Sequence, residues 1–532
     1  MSCVSPKKVD ILVYNGTIYT VDNNFTKQEA MVASNGKIVA TGRLKLLEKK
    51  YKAREKIDVE GKFVFPGFID AHAHFLQYGI GLQTVNLVGT NGWEEILIRL
   101  QNYASTHPNG WLIGRGWDQN DWPVKEFPDR QKLDSLFPSR PVLLTRIDGH
   151  AAIANQMALE LSKLQPTQKI TGGTIEVRNG RMTGVLIDNA VRQVSNKVPS
   201  LNSGQMQQAL QDAQSNCFAV GLTTIDDCGL NHETVDLIHK MQETGDLKMR
   251  LYVMLSDLPR NYEYLFRRGI IKTPRLHVRS FKVYADGALG SRGACLLQPY
   301  EDAPGNYGFL LSDATHFSNI ADSIYKRGFQ LCTHAIGDSA NRLILDTYAK
   351  VLNKTDDRRW RIEHAQVIAP SDFSKFGASG IVPSVQPTHA TSDMYWAHER
   401  LGEVRVKGAY AFKQLLQQNG WIPLGTDFPV EDIDPLKTFY AAVVRKDSKG
   451  WPEKGFQSEN ALTRVEALRG MTIWAAYANF EEHEKGSLEK GKYADFIILD
   501  KDLLSIPEEE IPSAKVLKTF LNAEKVFDHK KK

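Results

Sequence analysis

The chain predicts an α/β fold, a (β/α)8 TIM-like barrel carrying a small β-sandwich domain built from both chain termini, and three observations point to it. Apolar runs of strand length recur with helix-length segments between them, such as Gln205 to Val220, Asp313 to Gly328 and Asn341 to Lys354. Strands alternating with helices indicate a parallel sheet. Most of those runs end in a polar, metal-competent side chain, which is where a parallel barrel carries its chemistry. Both ends of the chain read as short alternating β segments, and a barrel places its first and last strands side by side.

In chain order, residues 1–64 are expected to supply the N-terminal part of the β domain. Alternating runs there are punctuated by Asn15-Gly16 and Asn35-Gly36, a dipeptide that favours tight hairpins. Residues 65–480 hold the barrel, opening with Phe65 to His74 and continuing through Gly221 to Asp227, Ser280 to Asp286, Phe329 to His334, Arg361 to His364, Ile381 to Pro387 and Trp421 to Asp427. Lys282 to His334 is 52 residues, His334 to His364 is 30, and His364 to Asp427 is 63, room for one intervening strand. His74 to Lys282 spans 208 residues, more than the intervening units need, so an insertion is expected at about 85–200. Its aromatic and charged residues suit a lid. Residues 481–532 complete the β domain, with Ala494 to Leu499, Val516 to Leu521 and Lys525 to Phe527 as strands.

Composition excludes several classes. Lysine and arginine total 66 against 62 acidic residues, a formal net charge of +4, which leaves no nucleic-acid footprint. Five cysteines (Cys3, Cys217, Cys228, Cys295, Cys332) are scattered without Cys-x-x-Cys spacing, so a disulfide framework is not expected and a reducing, cytoplasmic setting is. Met1 to Lys8 has no apolar core of a signal peptide, and no run has the length of a membrane span. Cys3 is not read as a lipid-attachment site, and His529 to Lys532 is read as a solvated tail.

The sharpest local feature is His72-Ala73-His74 at the end of an apolar run. Alternation along a strand points both imidazoles to one side, and neutral imidazole is the commonest ligand for zinc-like metals. The competing reading is a surface pair or a satisfied core pair. By the same parity Lys282, Tyr284 and Asp286 share a face, as do His334 and Cys332, and His364 and Ile362. If those faces point inward, one ion can be held by His72, His74 and Asp427 and a second by His334 and His364, with a bridge between them. Lys282 as an ammonium would repel a cation. A carbamate on its amine (N6-carboxylysine) would present one oxygen to each ion; otherwise Lys282 is neutralised by Asp286 or snorkels from the strand end.

His72-Ala-His74 after a Pro-Gly strand, Lys282, His334, His364 and Gly425-Thr426-Asp427, in this order, resemble the amidohydrolase superfamily. Lys282-Val-Tyr-Ala-Asp286-Gly287-Ala-Leu-Gly290-Ser-Arg292, Thr333-His334-Ala-Ile-Gly337-Asp338, Ile362-Glu363-His364-Ala-Gln366 and Ser384-Val-Gln386-Pro387 are similar to amidohydrolase family 3. The resemblance implies a divalent metal, zinc in one or two ions, and hydrolysis of a C–N amide-type bond of a small molecule by metal-bound hydroxide. Asp427 would take the proton and pass it to the leaving amine. A mononuclear deaminase-type or ester hydrolase on the same site, and a catalytically silent barrel serving binding or signalling, are the alternatives.

Neighbouring residues receive narrower expectations. His389, at the end of strand seven, would polarise a substrate carbonyl unless it is an ordinary loop histidine. Asp118, Arg146 and His150 would line a substrate pocket from the insertion, or pair locally. Arg292, in a glycine-containing loop, would hold an anionic group. Cys332 is read as packing, and Glu363 as facing the helices. Trp117, Trp122 and Trp396 suggest an aromatic acceptor region. A small-molecule substrate and a homodimer are the expected partners, without nucleic acid or membrane.

Overall fold

The computed structural model, which describes residues 5–353 and 355–531, is organised round seven parallel strands. Phe68–Ala73, Leu222–Leu230, Arg250–Ser256, Leu276–Tyr284, Gln330–Ala335, Arg361–His364 and Val382–Ser384 are hydrogen-bonded in that order, each parallel to the next. The eighth expected strand, Trp421 to Asp427, forms no regular strand. Its backbone nonetheless occupies the gap: Gly425 N–H donates to Val385 O at 3.0 Å, Ala71 N–H to Leu424 O at 3.2 Å, and Asp427 N–H to His72 O at 2.8 Å. Two features explain the irregularity. Pro423 has no N–H for a ladder, and Asp427 takes a positive φ of 65°. The result is a TIM-like barrel closed at one seam by an irregular segment.

Parallel sheets buried on both faces read as near-continuous apolar runs. The outward faces pack on helices that fall where the periodicity places them: Ser203–Ala219, Ala314–Arg327 and Asp338–Val351. Local chemistry starts and stops them. Asn202 and Gln205 form a capping box for the first, and Asp313 caps the second, which ends at Gly328 in the left-handed region. Inside the barrel Cys228, Tyr252, Met254 and Cys332 pack together. The four described cysteines are free thiols.

Residues 85–188 contribute a separate six-stranded sheet, ordered Gly173–Arg178, Arg181–Asp188, Ala151–Ala154, Val142–Arg146, Leu112–Trp117, Val85–Asn86. An apolar cluster lies on each side of it, one built on Trp117, Trp122 and Leu144 and the other on Leu143, Leu159 and Leu186.

The termini build two more sheets. Lys37–Gly42, Ala30–Ser34, Lys7–Tyr14 and Tyr51–Asp58 form one; the other interleaves both ends of the chain, with Phe496–Leu499 antiparallel to Phe63–Pro66. Ile11, Val13 and Met31 of the first sheet share a cluster with Val64, Phe496 and Phe520 of the second. Asn35-Gly36 makes the expected hairpin, both residues at positive φ. Asn15-Gly16 does not: it carries the chain from one sheet to the other. A Cβ on Gly16 would lie 2.3 Å from Lys62 O, so this turn is pressed against a crossing segment instead of closing two neighbouring strands. Cys3, Lys354 and Lys532 lie outside the described residues. No helix among the described residues is long and apolar enough to cross a membrane.

A buried ion pair ties the terminal sheets to the barrel. Arg250 Nε lies 2.6 Å from Asp495 Oδ2, Nη2 lies 3.0 Å from Oδ1 and 2.5 Å from Asn522 Oδ1, and the guanidinium stacks 3.9 Å over Tyr493. Removing one member of such a pair strands the other charge. Asp495→Ala is expected to cost about 3–5 kcal/mol, read as a lowered urea midpoint, and an unchanged midpoint would show that the joint does not depend on this pair.

Candidate metal centre

Strand alternation sends Asp70 and His72 into the barrel, and both are essentially inaccessible. Asp70 acts structurally, since its Oδ1 accepts from Thr426 N–H (2.9 Å) and its Oδ2 from the Thr426 hydroxyl (2.7 Å). A Cβ on Gly425 would meet His72 N at 2.5 Å, so only glycine lets the closing segment lie this near. These contacts hold the next residue, Asp427, over the histidines. Its Oδ1 lies 3.3 Å from His74 Nε2 and 3.6 Å from His72 Nε2, and its Oδ2 lies 3.1 Å from His389 Nε2.

The tautomer of His72 is set from behind. Its Nδ1 lies 2.5 Å from Glu363 Oε2, so Nδ1 carries the proton and Nε2 keeps its lone pair. Arg361 backs Glu363 with an Nε to Oε1 contact of 2.6 Å and reaches Asp226 at 2.8 Å. Glu363 therefore does not face the helices, and the structure corrects that expectation. Arg361 and Glu363 face inward while Ile362 packs outward with Trp360 and Tyr348. His364 also reaches the interior, because its φ of 72° and the 43° of Ala365 break the alternation just as the strand ends.

The imidazoles form a contiguous group. Ring centroids are 4.7 Å apart for His72 and His364, 4.6 Å for His364 and His334, and 5.9 Å for His364 and His389. Burial, then the Lys282 ammonium, push His72 down to about 4. Burial and neighbouring histidines hold His334 and His364 well below the usual imidazole range. They are neutral, as metal ligands must be. His389 is the opposite case: burial opposes its charge, but hydrogen bonds to Asp427 and Glu431 outweigh it and keep the ring protonated. Asp427 is held ionised against burial by His389 and His74.

Two sets of donors lie within 4.8 Å of one another, His72, His74 and Asp427, and His364, His389 and Asp427. A divalent cation fits the first set on a specific ground. Asp427 Oδ1 is buried without a hydrogen-bond partner, and a buried unsatisfied acceptor is costly. His334, expected beside His364, belongs to neither set; its Nε2 faces Gly287 O at 3.4 Å. Lys282 lies at the centre with Nζ 3.2 Å from His72 Nε2. It is not neutralised by Asp286, whose carboxylate accepts from the N–H groups of Cys295, Ile336 and Gly337.

A model of the amidohydrolase family matches residues 55–527. The chain belongs to the amidohydrolase family. It is 34% identical to Protein LONG AFTER FAR-RED 3 of Arabidopsis thaliana over 97% of this chain and 91% of that protein. It is 25% identical to N-substituted formamide deformylase of Arthrobacter pascens, covering 96% of this chain and 97% of that one. Among solved structures, an uncharacterized metal-dependent hydrolase from Pyrococcus horikoshii superimposes with a TM-score of 0.77 at 29% identity, covering 94% of this chain and 99% of that one.

In this amidohydrolase the barrel mouth and the inserted sheet border a cavity of about 1030 Å³, reached by His74, Lys282, His334, His364, His389 and Asp427 from below. Asp118, Arg146 and His150 line it from the insertion. They are also paired: Arg146 with Asp118 and Asp148, and His150 Nδ1 with Asp188 Oδ1 at 2.6 Å. The ring of His150 lies 5.1 Å from that of His334, bringing the lid onto the histidine group. His389 sits on the helix Pro387–Asp393. Arg292 corrects an expectation. It does not line the cavity, because its Nη2 pairs with Asp302 at 2.8 Å. Of the tryptophans, Trp396 lines the cavity, whereas Trp117 and Trp122 are buried in the insertion's own core.

Glu363 is the residue that strand alternation alone misplaces, although the inward parity of Arg361 and Glu363 was readable as a buried ion pair. Carboxylate partners of ligating histidines typically account for 10- to 100-fold in metal affinity. Glu363→Gln is therefore expected to weaken divalent-metal binding by about 10- to 100-fold in equilibrium dialysis; an unaltered affinity would reduce Glu363 to a packing neighbour.

Proposed function

We propose that this amidohydrolase is a metal-dependent hydrolase that cleaves an amide-type, non-peptide C–N bond of a small molecule, with zinc as its ion. The observation that carries this reading is Asp427 Oδ1, a buried carboxylate oxygen with no hydrogen-bond partner, 3.3 Å from His74 Nε2 at the floor of a large cavity. His72, His74 and Asp427 would hold one divalent ion, and His334 and His364 would flank a second, while protonated His389 serves as the anchor of Asp427. A bound ion lowers the pKa of water toward neutrality and polarises a substrate carbonyl.

The chain's own groups handle positions and protons. His389, fixed by Glu431 Oε1 at 3.1 Å, anchors Asp427 Oδ2 and leaves Oδ1 turned toward the reacting side. Oδ1 accepts a proton from the attacking water and returns it to the departing nitrogen, so that the amine leaves neutral. His150, held by Asp188, presents its other ring nitrogen to the cavity as a donor to the substrate carbonyl. The inserted sheet lines the cavity above these groups.

Lys282 enters as a positioning group with two states. As an ammonium it donates to His72 Nε2 and competes with a cation for that lone pair. As a carbamate it carries a negative charge at the same place and supports a second ion. Native mass spectrometry of protein prepared with and without bicarbonate separates the two, since a carbamate adds the mass of one carbon dioxide at Lys282 and Lys282→Ala abolishes that increment.

Two outcomes test the function. Removing metal with a chelator is expected to abolish hydrolysis of N-formyl and N-acyl amines, and zinc to restore it. Asp427→Asn is expected to lower kcat by about 10²- to 10⁴-fold, the usual contribution of a positioned acid–base group. Turnover that survives both treatments would refute the mechanism.

A further inference from the structure

Several of the cavity's charges are matched by neighbours, but that of Arg115, on the lid, is not. Arg146 fills all three nitrogens: Nε donates to Gln119 Oε1 at 2.9 Å, Nη1 lies 2.5 Å from Asp148, and Nη2 pairs with Asp118. Arg115, on the strand Leu112–Trp117, lines the same cavity and pairs with no carboxylate among the described residues. Its Nη2 donates to Ile147 O at 2.9 Å, and its Nε is buried with no partner. A guanidinium keeps its charge in a protein, so the unused donors of Arg115 are an open demand for an anion. Arg192, exposed at the rim of this cavity, likewise has no carboxylate partner among the described residues.

The backbone aims Arg115 through a local distortion. The register slips between Arg115 and Trp117, and Gly116, at φ 110°, would place a Cβ 2.4 Å from Val88 Cγ2. Only glycine takes that bend. Trp117 is anchored in the insertion's core, with its indole N–H donating to Leu144 O at 2.8 Å. On the other flank, a Cβ on Gly149 would come within 3.4 Å of Arg115 Nη1. The guanidinium is thereby held in the lid's inner surface. Arg115 and His74 line the same cavity.

We infer that Arg115 is a specificity-determining residue that binds a carboxylate on the substrate, so that the preferred substrates are N-acyl compounds carrying an anionic group beside the scissile amide. A planar fork with free donors matches a carboxylate in two-point contact. The anion-holding role that the loop sequence suggests for Arg292 falls instead to Arg115, because Arg292 already has Asp302. This inference rests on the hydrolase reading for its chemistry, but not for its binding.

The smallest matched probes are N-formylglycine and N-formylglycinamide, which differ only in that charge. Calorimetry on the full-length zinc-loaded protein is expected to show the acid bound about 10- to 100-fold more tightly than the amide, the range of a charge-assisted contact. Arg115→Gln should erase that ratio, and Arg115→Lys should keep part of it. Wild-type protein that binds the pair equally, or fails to bind N-formylglycine, overturns the assignment, as does an Arg115→Gln variant that keeps the ratio. If Arg115→Gln does not fold, the ratio in Arg115→Lys decides, since a lysine that leaves it untouched excludes fork recognition. Binding with the expected ratio but no formate release would leave Arg115 in place and refute the hydrolase reading instead.

Discussion

The arrangement at the barrel mouth depends on the seam where residues 424–427 lie against the first barrel strand. Asp70 is the clamp: its two oxygens take three hydrogen bonds, from Thr426 N–H, the Thr426 hydroxyl and His72 N–H. Burial raises the Asp70 carboxyl to about 7 in spite of these bonds, a sign of how dry the seam is. Glycine at 425 permits the approach and Pro423 relieves the segment of strand regularity. The same few contacts close the barrel and place Asp427 between His74 and His389. Fold closure and site geometry are one constraint here.

Charge is ordered outward from that seam. Behind His72 runs a dry series of opposite charges, Glu363, Arg361 and Asp226, with Asn479 completing Asp226 at 2.6 Å. Such a series is costly to bury, and the pairing of its members with one another offsets that cost. It fixes which nitrogen of His72 is free. On the open side Asp427 is tied through one oxygen to protonated His389, leaving the other without a hydrogen-bond partner. The molecule thus presents neutral nitrogen donors and one spare carboxylate oxygen toward a common point, and nothing in the fold alone requires that polarity.

Much of this was legible in the sequence, and the failures share a physical origin. Apolar runs carrying His72, Lys282 and His334 marked strands because parallel strands are buried on both faces and announce themselves by composition, whereas the run to Asp427 forms no regular strand. Helices with strong caps, such as the one opened by Asn202, fell where their periodicity put them. Alternation failed where the chain leaves the strand: a positive φ at His364 turned two consecutive side chains inward and hid Glu363. Asn15-Gly16 failed similarly, since a turn dipeptide specifies a local bend and not which sheet the chain enters next. Pairings such as Arg292 with Asp302, 10 residues apart, or Glu363 with His72, 291 apart, are settled by packing that no local pattern encodes.

The division of labour within the molecule follows from where each group is anchored. Groups on barrel strands are fixed by a continuous ladder and by a dry interior, so their geometry is rigid and generic to any substrate reaching the mouth. Groups on the inserted sheet are fixed by a different core, built on Trp117 and Trp122, and meet the barrel through contacts such as the rings of His150 and His334. A change in the insertion therefore alters what the cavity accepts without disturbing the histidines below. Arg146 illustrates the limit of this freedom: with both acids and Gln119 already on it, its charge is taken up in holding the lid together. Selectivity has to come from lid groups whose donors are still free, which places it beside Arg115 and not beside the more conspicuous Asp118, Arg146 and Asp148 triplet.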